Sequence, residues 1–452
     1  VMALGMEHAA GPYRIPHTLI EGWCLYTNHP VAGAMRGFGV AQVSFAFERM
    51  MDLLAGRLGR DPLALRLQNA LRQGDTNGAG VKMTQATGIA ACLKAVQRHP
   101  LWRGRKKWIA AAGPFKKRGV GLAAVSNAMG YGRGLPDSAI AKIELTKDGR
   151  LRLYSGVSDM GQGNTTAFLQ IAGQILRQEE TAFEIVQPDT DRSLPSGSAS
   201  ASRTTYTYGN ALIKACGELR QRIVGRAAMG LLVDTLEDLE LVPGKVRHPA
   251  TGREVPIAAL AATMTEHERI CISQFLMPVV KERPDTGKAF VIGFPHLLFS
   301  YAAHMACVEV DELTGSVGIC AYLAATEAGR VLNPEGFEQQ VQGAIAQGIG
   351  YALTEEVKLD RGRIATPDLS TYIIPGAQDI PETISLAVEA DEASGPYGMK
   401  GVGEVGINGP LPAIANALAD ACGIAITRAP LTAERILEAL GRHRDRERGK
   451  NP

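Results

Sequence analysis

The sequence predicts an α+β fold, with mixed sheets and packed helices arranged in more than one sub-domain. Three observations predict it. Apolar residues recur at helical spacing in separate stretches, first at Val40, Val43, Phe47, Met51, Leu54 and Leu58. Two other stretches read as β-hairpins and do not alternate strictly with the helices, which argues against a doubly wound sheet. A chain of 452 residues also exceeds one ordinary domain.

The elements follow in order. Residues 1–32 are irregular, broken by Pro and Gly. After the first helix, Asp61-Pro62 starts a second, with an N-cap acid and a proline in the first turn. It runs to about Arg72 and is closed by Gly74, and a third helix spans Ile89 to Arg98. Residues 139–157 alternate through Ile140, Lys142 and Glu144, turn at Asp148-Gly149 and return through Leu151 and Leu153. Helices are predicted at 164–177, 209–230 and 335–352, a second hairpin at 303–325 with its turn at Asp311–Gly315, and a strand at 383–390. Residues 240–296, with Pro and Gly breaks and weak periodicity, read as a peripheral insertion. Helices at 412–422, closed by Gly423, and at 433–441, capped by Thr432, finish the fold. Residues 442–452 mix charge signs and read as a solvated tail.

Composition narrows the function classes. Hydrophobic residues make up 45% and charged residues 21%, as in a soluble globular protein. A net charge of +2 carries no nucleic-acid signature. The seven cysteines form no C-x-x-C pair, so they read as buried free thiols of a reducing, cytoplasmic compartment, without an iron–sulfur or cysteine–zinc motif. The nine histidines show no H-E-x-x-H spacing, and no apolar run is long enough to span a bilayer. The start at Val1, without an initiator methionine or a signal peptide, suggests a processed chain or part of a longer polypeptide.

Chemistry concentrates in glycine-rich turns. Glu404 sits among Gly401, Gly403 and Gly406, where small residues let a carboxylate approach whatever needs a base. The same glycines spell G-x-G-x-x-G, a dinucleotide fingerprint that needs a strand before it and a helix after it. Here turn-like residues 393–398 precede it, Asn408-Gly409-Pro410-Leu411-Pro412 follows, and the acidic Asp420 falls inside the next helix. Four other turns place glycine beside strongly hydrogen-bonding residues: Met35–Gly39, Met160–Gly163, Ser200–Thr205 and Gln347–Gly350. Three of them precede predicted helices, whose free N–H groups favour anions, so together they suggest a phosphate-bearing ligand beside a general base. Singly, each residue has a plainer reading: an ion pair for Arg36, a core aromatic for Phe38, a loop tyrosine for Tyr131, a helix cap for Ser202–Thr204.

As a set, Ala34–Gly39, Met160–Gly163, Ala201–Thr204, Gln340–Gly348 and Gly401–Glu404 resemble the molybdenum-binding subunit of the xanthine dehydrogenase/aldehyde oxidase family. The match runs along nearly the whole chain but covers only the later, larger part of that subunit. The resemblance implies a multi-sub-domain molybdenum-cofactor-binding architecture. Residues 1–110 would end the first such sub-domain, and 111–441 would form the second. It implies a molybdenum–pterin cofactor, with the cytosine dinucleotide form as one option, and a metal held through the pterin without direct protein ligands.

The roles that the resemblance implies are these. Glu404 is the catalytic base and Arg36 the arginine beside the metal. Phe38 and Tyr131 are the aromatics that sandwich a flat substrate. Gln162 and Gln347 bond the pterin and the oxo side of the metal. Ser202, Arg203 and Thr204 hold the pterin or its phosphate, with Gly37, Gly161, Gly163, Ala201 and Gly403 forming the close-fitting backbone. Leu4 stands where xanthine-specific members have an arginine, and an apolar residue cannot donate to a purine carbonyl. The implied reaction is hydroxylation of an sp² carbon in an aldehyde or nitrogen heteroaromatic, with xanthine or hypoxanthine as the alternative. The implied partners are the other half of the molybdenum subunit, a 2Fe–2S subunit and an FAD subunit, in a dimer of hetero-oligomers. A nicotinamide dehydrogenase and a catalytically silent scaffold are the rival readings.

Overall fold

The computed structural model describes residues 1–281, 292–424 and 426–448. Its helices begin with α1 (Met2–His8), α2 (Val40–Arg57), α3 (Pro62–Asn69), α4 (Ile89–Arg98), α5 (Pro100–Ala110) and α6 (Asn164–Leu176). They continue with α7 (Thr204–Leu231), α8 (Ile257–Thr263), α9 (Glu266–Arg269), α10 (Pro334–Leu353), α11 (Pro410–Cys422) and α12 (Ala433–Arg448). The strands are β1 (Lys116–Ala128), β2 (Ser138–Leu145), β3 (Leu151–Tyr154), β4 (Phe183–Val186), β5 (Glu240–Val242), β6 (Lys245–Arg247) and β7 (Glu254–Pro256). After these come β8 (Ile270–Leu276), β9 (Phe299–Asp311), β10 (Val317–Glu327), β11 (Leu359–Asp360), β12 (Arg363–Ile364) and β13 (Thr383–Ala387).

The large sheet has the order β1-β9-β10-β13, antiparallel except for the parallel β10–β13 pair. Helices cover both faces. Alternate residues of β9, Ala302, Ala306, Val308 and Val310, join the core of α10, α11 and α12. The intervening Tyr301, Ala303, Met305 and Cys307 join α3, α4 and α5 on the other side. A sheet buried on both faces reads as a continuous run without alternation. This is why β1 gives no strand signal, although every residue from Gly119 to Ala128 is buried. On β1, a side chain at Gly119 would strike Ala417 and Ala421 of α11, and one at Gly121 would strike Ala413 and Ala417. The helix therefore lies backbone-close on the strand.

The second sheet has the order β4-β3-β2-β8 and packs one face on α6 and α7. Burial alternates residue by residue along β2, as expected for a sheet with one wet face. The Asp148-Gly149 turn joins β2 to β3, with Gly149 at φ +85°. The hairpin predicted at 303–325 is β9–β10, its Gly315 N–H donating to the Asp311 carbonyl at 2.8 Å.

Five sequence expectations change. Residues 1–32, read as irregular, open with the helix α1, Met2–His8. Residues 240–296 are not peripheral throughout: 240–256 make a small sheet, but β8 pairs with β2 inside the second sheet. The second predicted helix stops at Asn69 because Ala70 turns extended and bridges to Tyr13. Instead of a tail from residue 442, α12 continues to Arg448. Cys24 and Cys320 are exposed, unlike the buried Cys92, Cys216, Cys271 and Cys307. Among the described residues no helix is long and apolar enough to cross a membrane.

A buried polar cluster fixes α2 on the sheet. Glu48 of α2 meets Arg66 of α3 at 2.8 Å and accepts from the Tyr13 hydroxyl and, at 2.9 Å, from Ala124 N–H of β1. Removing one partner of such a pair costs about 3–5 kcal/mol, because the other charge stays buried. The turn that carries Arg36 and Phe38 leads directly into α2 and is set by this anchor.

Candidate active site

The helical ends and connecting turns of the two sheet units enclose a cavity of about 1070 Å³. Its wall includes Leu4 of α1, the Arg36–Phe38 turn, Tyr131, the Met160–Asn164 turn, the Ala201–Ser202 turn, the start of α10 and Gly401–Glu404. Residues separated by hundreds of positions in sequence thus share one space.

Glu404 lies just before a short 3₁₀ turn, Val405–Asn408, that leads into α11. Its Oε1 accepts from Gly37 N–H at 3.2 Å, and its Oε2 accepts from the Ser202 hydroxyl at 3.2 Å and Asn127 Nδ2 at 3.3 Å. Gly37 has φ +87°, a conformation that favours glycine, and it is this turn that aims its N–H at the carboxylate. Burial pushes the Glu404 pKa up, against the pull of Gly37, Ser202, Arg36 and Asn127. Among the described residues no cationic side chain pairs directly with it. Arg36 instead donates from Nε to the Gly403 carbonyl at 2.5 Å and from one terminal nitrogen to Gln340 Oε1 at 3.1 Å. Its burial lowers the guanidinium pKa, while Glu404 raises it.

The aromatic residues differ in how they are held. Phe38 has φ +44°, uncommon for a non-glycine residue, and stays 40% exposed at the cavity. Tyr131 is half-buried; its hydroxyl lies 2.5 Å from Ser198 Oγ and the Arg203 guanidinium stands 5.0 Å from its ring centre.

The same wall offers features that suit a pterin with an anionic tail. The N-terminus of α7 has no side-chain cap, and Thr204 and Thr205 line the cavity there. Ala201 and Ser202 just before it have φ +55° and +50°. Asn164 Nδ2 is buried without a partner at the start of α6. A side chain at Gly401 would run into the Ser202 carbonyl, so these two backbones form a tight cradle. No strand precedes Gly401; the chain there is a 3₁₀ turn (Pro396–Gly398) and coil, which removes the dinucleotide reading.

Models of molybdopterin cofactor-binding domains match residues 95–381 and 1–70. The chain is 35% identical over 449 residues to a probable xanthine dehydrogenase subunit of Bacillus subtilis, covering 98% of this chain and 57% of that one. The structure of aldehyde oxidoreductase from Desulfovibrio gigas superposes with a TM-score of 0.75 at 28% identity, over 90% of this chain and 42% of the other. Quinoline 2-oxidoreductase from Pseudomonas putida 86 shares the fold, with a TM-score of 0.82 at 22% identity over 97% and 57%. The chain belongs to the molybdenum-binding subunits of the xanthine dehydrogenase/aldehyde oxidase family. It spans a little over half the length of the Bacillus subtilis relative.

Within this molybdenum-binding subunit, two residues expected at the cofactor, Gln347 and Arg203, lie off the cavity wall, and a third, Gln162, lines it. Gln347 is exposed on α10 and is not part of the cavity wall. Only the first turns of α10, through Gln340, reach the cavity, and seven residues further along lies about 10 Å away. Arg203 is fully buried: it pairs with Asp137 at 2.5 Å and donates to the carbonyls of Ser138, Ser196 and Ser198. Its guanidinium braces the Tyr131 turn and is not offered to a phosphate. At the Met160–Gly163 turn, Asp159 accepts from the N–H groups of Gly161, Gly163 and Thr165, so the α6 N-terminus already holds an anion. Gln162 folds back on Ser158 and Met160 within the same turn while lining the cavity. Sequence reasoning gave no role to Asn127, Asn164 or His296, nor to Gln340, although Gln340 opens one of the motifs that carry the resemblance. Of these, Asn127 had a signal, an amide next to Ser126 at the end of a run of small and apolar residues, 119–125.

Proposed function

We propose that the chain is the cofactor-binding part of a molybdenum hydroxylase that oxidises an sp² C–H carbon of an aldehyde or nitrogen heteroaromatic. The balance is R–H + H₂O → R–OH + 2 H⁺ + 2 e⁻. The electrons pass to iron–sulfur and FAD groups on partner subunits, and the other half of the molybdenum subunit completes the site, in a cytoplasmic dimer of hetero-oligomers. The observation that carries this reading is Glu404, a half-buried carboxylate bonded, among the described residues, only by neutral donors in the wall of a glycine-lined cavity. A silent scaffold has no use for such an acid.

When bound, the molybdenum–pterin group supplies the electron sink and the activated oxygen. Ser202, Thr204, Thr205 and Asn164, which line the cavity, would hold it. Glu404 in its ionised form takes up a proton at a carboxylate oxygen. Arg36, fixed by Gly403 and Gln340, stabilises negative charge that develops on the substrate. Phe38 and Tyr131 line the cavity and would bracket a flat substrate. Leu4 in the wall offers no donor to a purine carbonyl, which favours aldehydes and simpler heteroaromatics over xanthine.

The test is metal and pterin analysis of the complex purified with co-expressed partner subunits, followed by a dye-linked screen of aldehydes, heteroaromatics and xanthine. Molybdenum with turnover of aldehydes or heteroaromatics is expected. A complete complex without molybdenum or pterin would overturn the proposal, and activity confined to xanthine would overturn the substrate assignment.

A further inference from the structure

Apart from Leu4, the wall of the cavity formed by α1 has no task in the reaction above. Helix α1 lies between the turns that carry Phe38 and Tyr131. On one side it rests on Gly39, the residue after Phe38, where any side chain would run into the Val1 carbonyl. On the other side Glu7, whose side chain is fully buried, reaches His296. Glu7 Oε1 accepts from the His296 backbone N–H at 2.8 Å, and Oε2 lies 2.6 Å from Nδ1. The other ring nitrogen, Nε2, is 3.2 Å from the carbonyl oxygen of Gly130, the residue before Tyr131.

Both ring nitrogens of His296 therefore face acceptors. A neutral imidazole has one N–H and satisfies only one of them, whereas an imidazolium satisfies both. The adjacent His8 shows the contrast. Its Nδ1 faces the Leu4 carbonyl at 2.9 Å and its Nε2 receives Ala128 N–H at 3.1 Å, the pattern of a neutral ring.

We propose that the buried Glu7–His296 ion pair is a positioning device that sets the gap between Phe38 and Tyr131, and with it which flat molecules the cavity accepts. The proposal rests on the reading of the cavity as a substrate pocket. The chain of contacts is continuous: the Phe38–Gly39 turn, α1, Glu7, His296, the Gly130 carbonyl, Tyr131. The titratable groups facing the pair are His8 on α1 and Asp137 ahead of β2, the latter bound to Arg203. Burial opposes the charge on His296, but Glu7, the Gly130 carbonyl and Asp137 outweigh it and hold its pKa above the ordinary value. Burial likewise opposes the charge on Glu7, but His296 and His8 outweigh it and hold its pKa below the ordinary value. The pair is intact between these two displaced values. It is lost as pH rises through that of His296, and also as pH falls through that of Glu7.

The experiment uses the complete complex. Histidine ring ¹⁵N spectra, with His296→Gln as the assignment control, report protonation directly. His296 is expected to carry both ring protons at neutral pH and to titrate above an ordinary histidine, with Glu7→Gln abolishing the shift. The dissociation constant for 2-naphthol, a flat two-ring probe, is expected to rise about tenfold in Glu7→Gln and in His296→Gln, the worth of one aromatic contact. In the parent it is expected to rise with pH as His296 loses its proton. KM for an aromatic aldehyde should rise with it, while KM for acetaldehyde and kcat stay near the parent values. A neutral His296 at neutral pH, or unchanged probe affinity in both folded variants, would overturn the proposal. A parent complex that binds 2-naphthol but turns over no substrate defeats the reaction reading alone, since the spectra and the probe still decide the pair.

Discussion

Replacing Glu404 with glutamine isolates the base from its surroundings. The carboxylate accepts three hydrogen bonds, from Gly37 N–H on one oxygen and from Ser202 and Asn127 on the other. The amide of glutamine has one acceptor oxygen. If that oxygen keeps Gly37, its NH₂ faces the Ser202 hydroxyl, which can turn to accept, and Asn127 Nδ2, which cannot. Asn127 retains its 2.9 Å bond to the Ala128 carbonyl, so the variant forfeits one long hydrogen bond. That costs about 0.5–1.5 kcal/mol, too little to unfold a core of this size. Loss of the proton acceptor costs far more, about 10²–10⁴ in kcat/KM. Parent kcat/KM should climb with pH through the raised Glu404 pKa and then level off, because the ionised form is the base. The same shift gives a readout without turnover. A carboxyl that holds its proton more tightly when folded makes the parent lose stability as pH rises through that range. The melting temperature of the variant relative to the parent should therefore increase between about pH 4 and pH 8. Steady-state kinetics and thermal melts across pH check both limbs. A variant with near-parental kcat/KM and an unchanged acid limb would refute the assignment of Glu404 as base.

Other substitutions separate neighbouring roles. Gln340→Ala should lower kcat/KM by about tenfold to a hundredfold, because Arg36 loses a charged hydrogen bond, whereas Gln347→Ala on the exposed face of α10 should leave kinetics unchanged. Asp159→Ala removes the acceptor for three N–H groups at the start of α6, and urea unfolding should show a loss of about 1–2 kcal/mol. Gly121→Val forces α11 off β1, and a destabilisation of at least about 3 kcal/mol should appear as reduced soluble yield and a lower melting temperature.

Elements with one wet face were legible in the sequence. α2, α4 and α6 show their apolar stripes, and β2 shows its alternation. Elements that break the pattern were not. β1 is buried on both faces and carries two glycines, so no period of two survives. α5 is crowded with Arg and Lys, and only Trp102 is buried. The first turn of α7, Thr204-Thr205-Tyr206-Thr207-Tyr208, has the β-branched and aromatic composition of a strand, and tertiary packing overrides it. At the site, the glycine turns mark the cavity well, because close approach demands glycine. Arg203 beside them misleads, since its guanidinium donates to the carbonyls of Ser138, Ser196 and Ser198, and Asp159, to which the sequence reading gave no role, holds the N–H groups of the Met160–Gly163 turn. Glu7 and His296 lie 289 positions apart, and no local pattern links them.

The contact of α11 on Gly119 and Gly121 has a consequence for how this cavity can be altered. Side chains hop between rotamers, but a helix seated backbone on backbone has no such soft joint. β1 ends with Asn127 and Ala128, and Glu404 stands six residues before α11 begins, so both ends of the Asn127–Glu404 hydrogen bond are attached to that stiff joint. Glu404 therefore sits on the stationary jaw of a vice. The opposite jaw is built of loops and of the short helix α1. Selection for new substrates should accumulate its changes on that adjustable side, at Leu4, Phe38 and Tyr131, and leave the stationary side untouched.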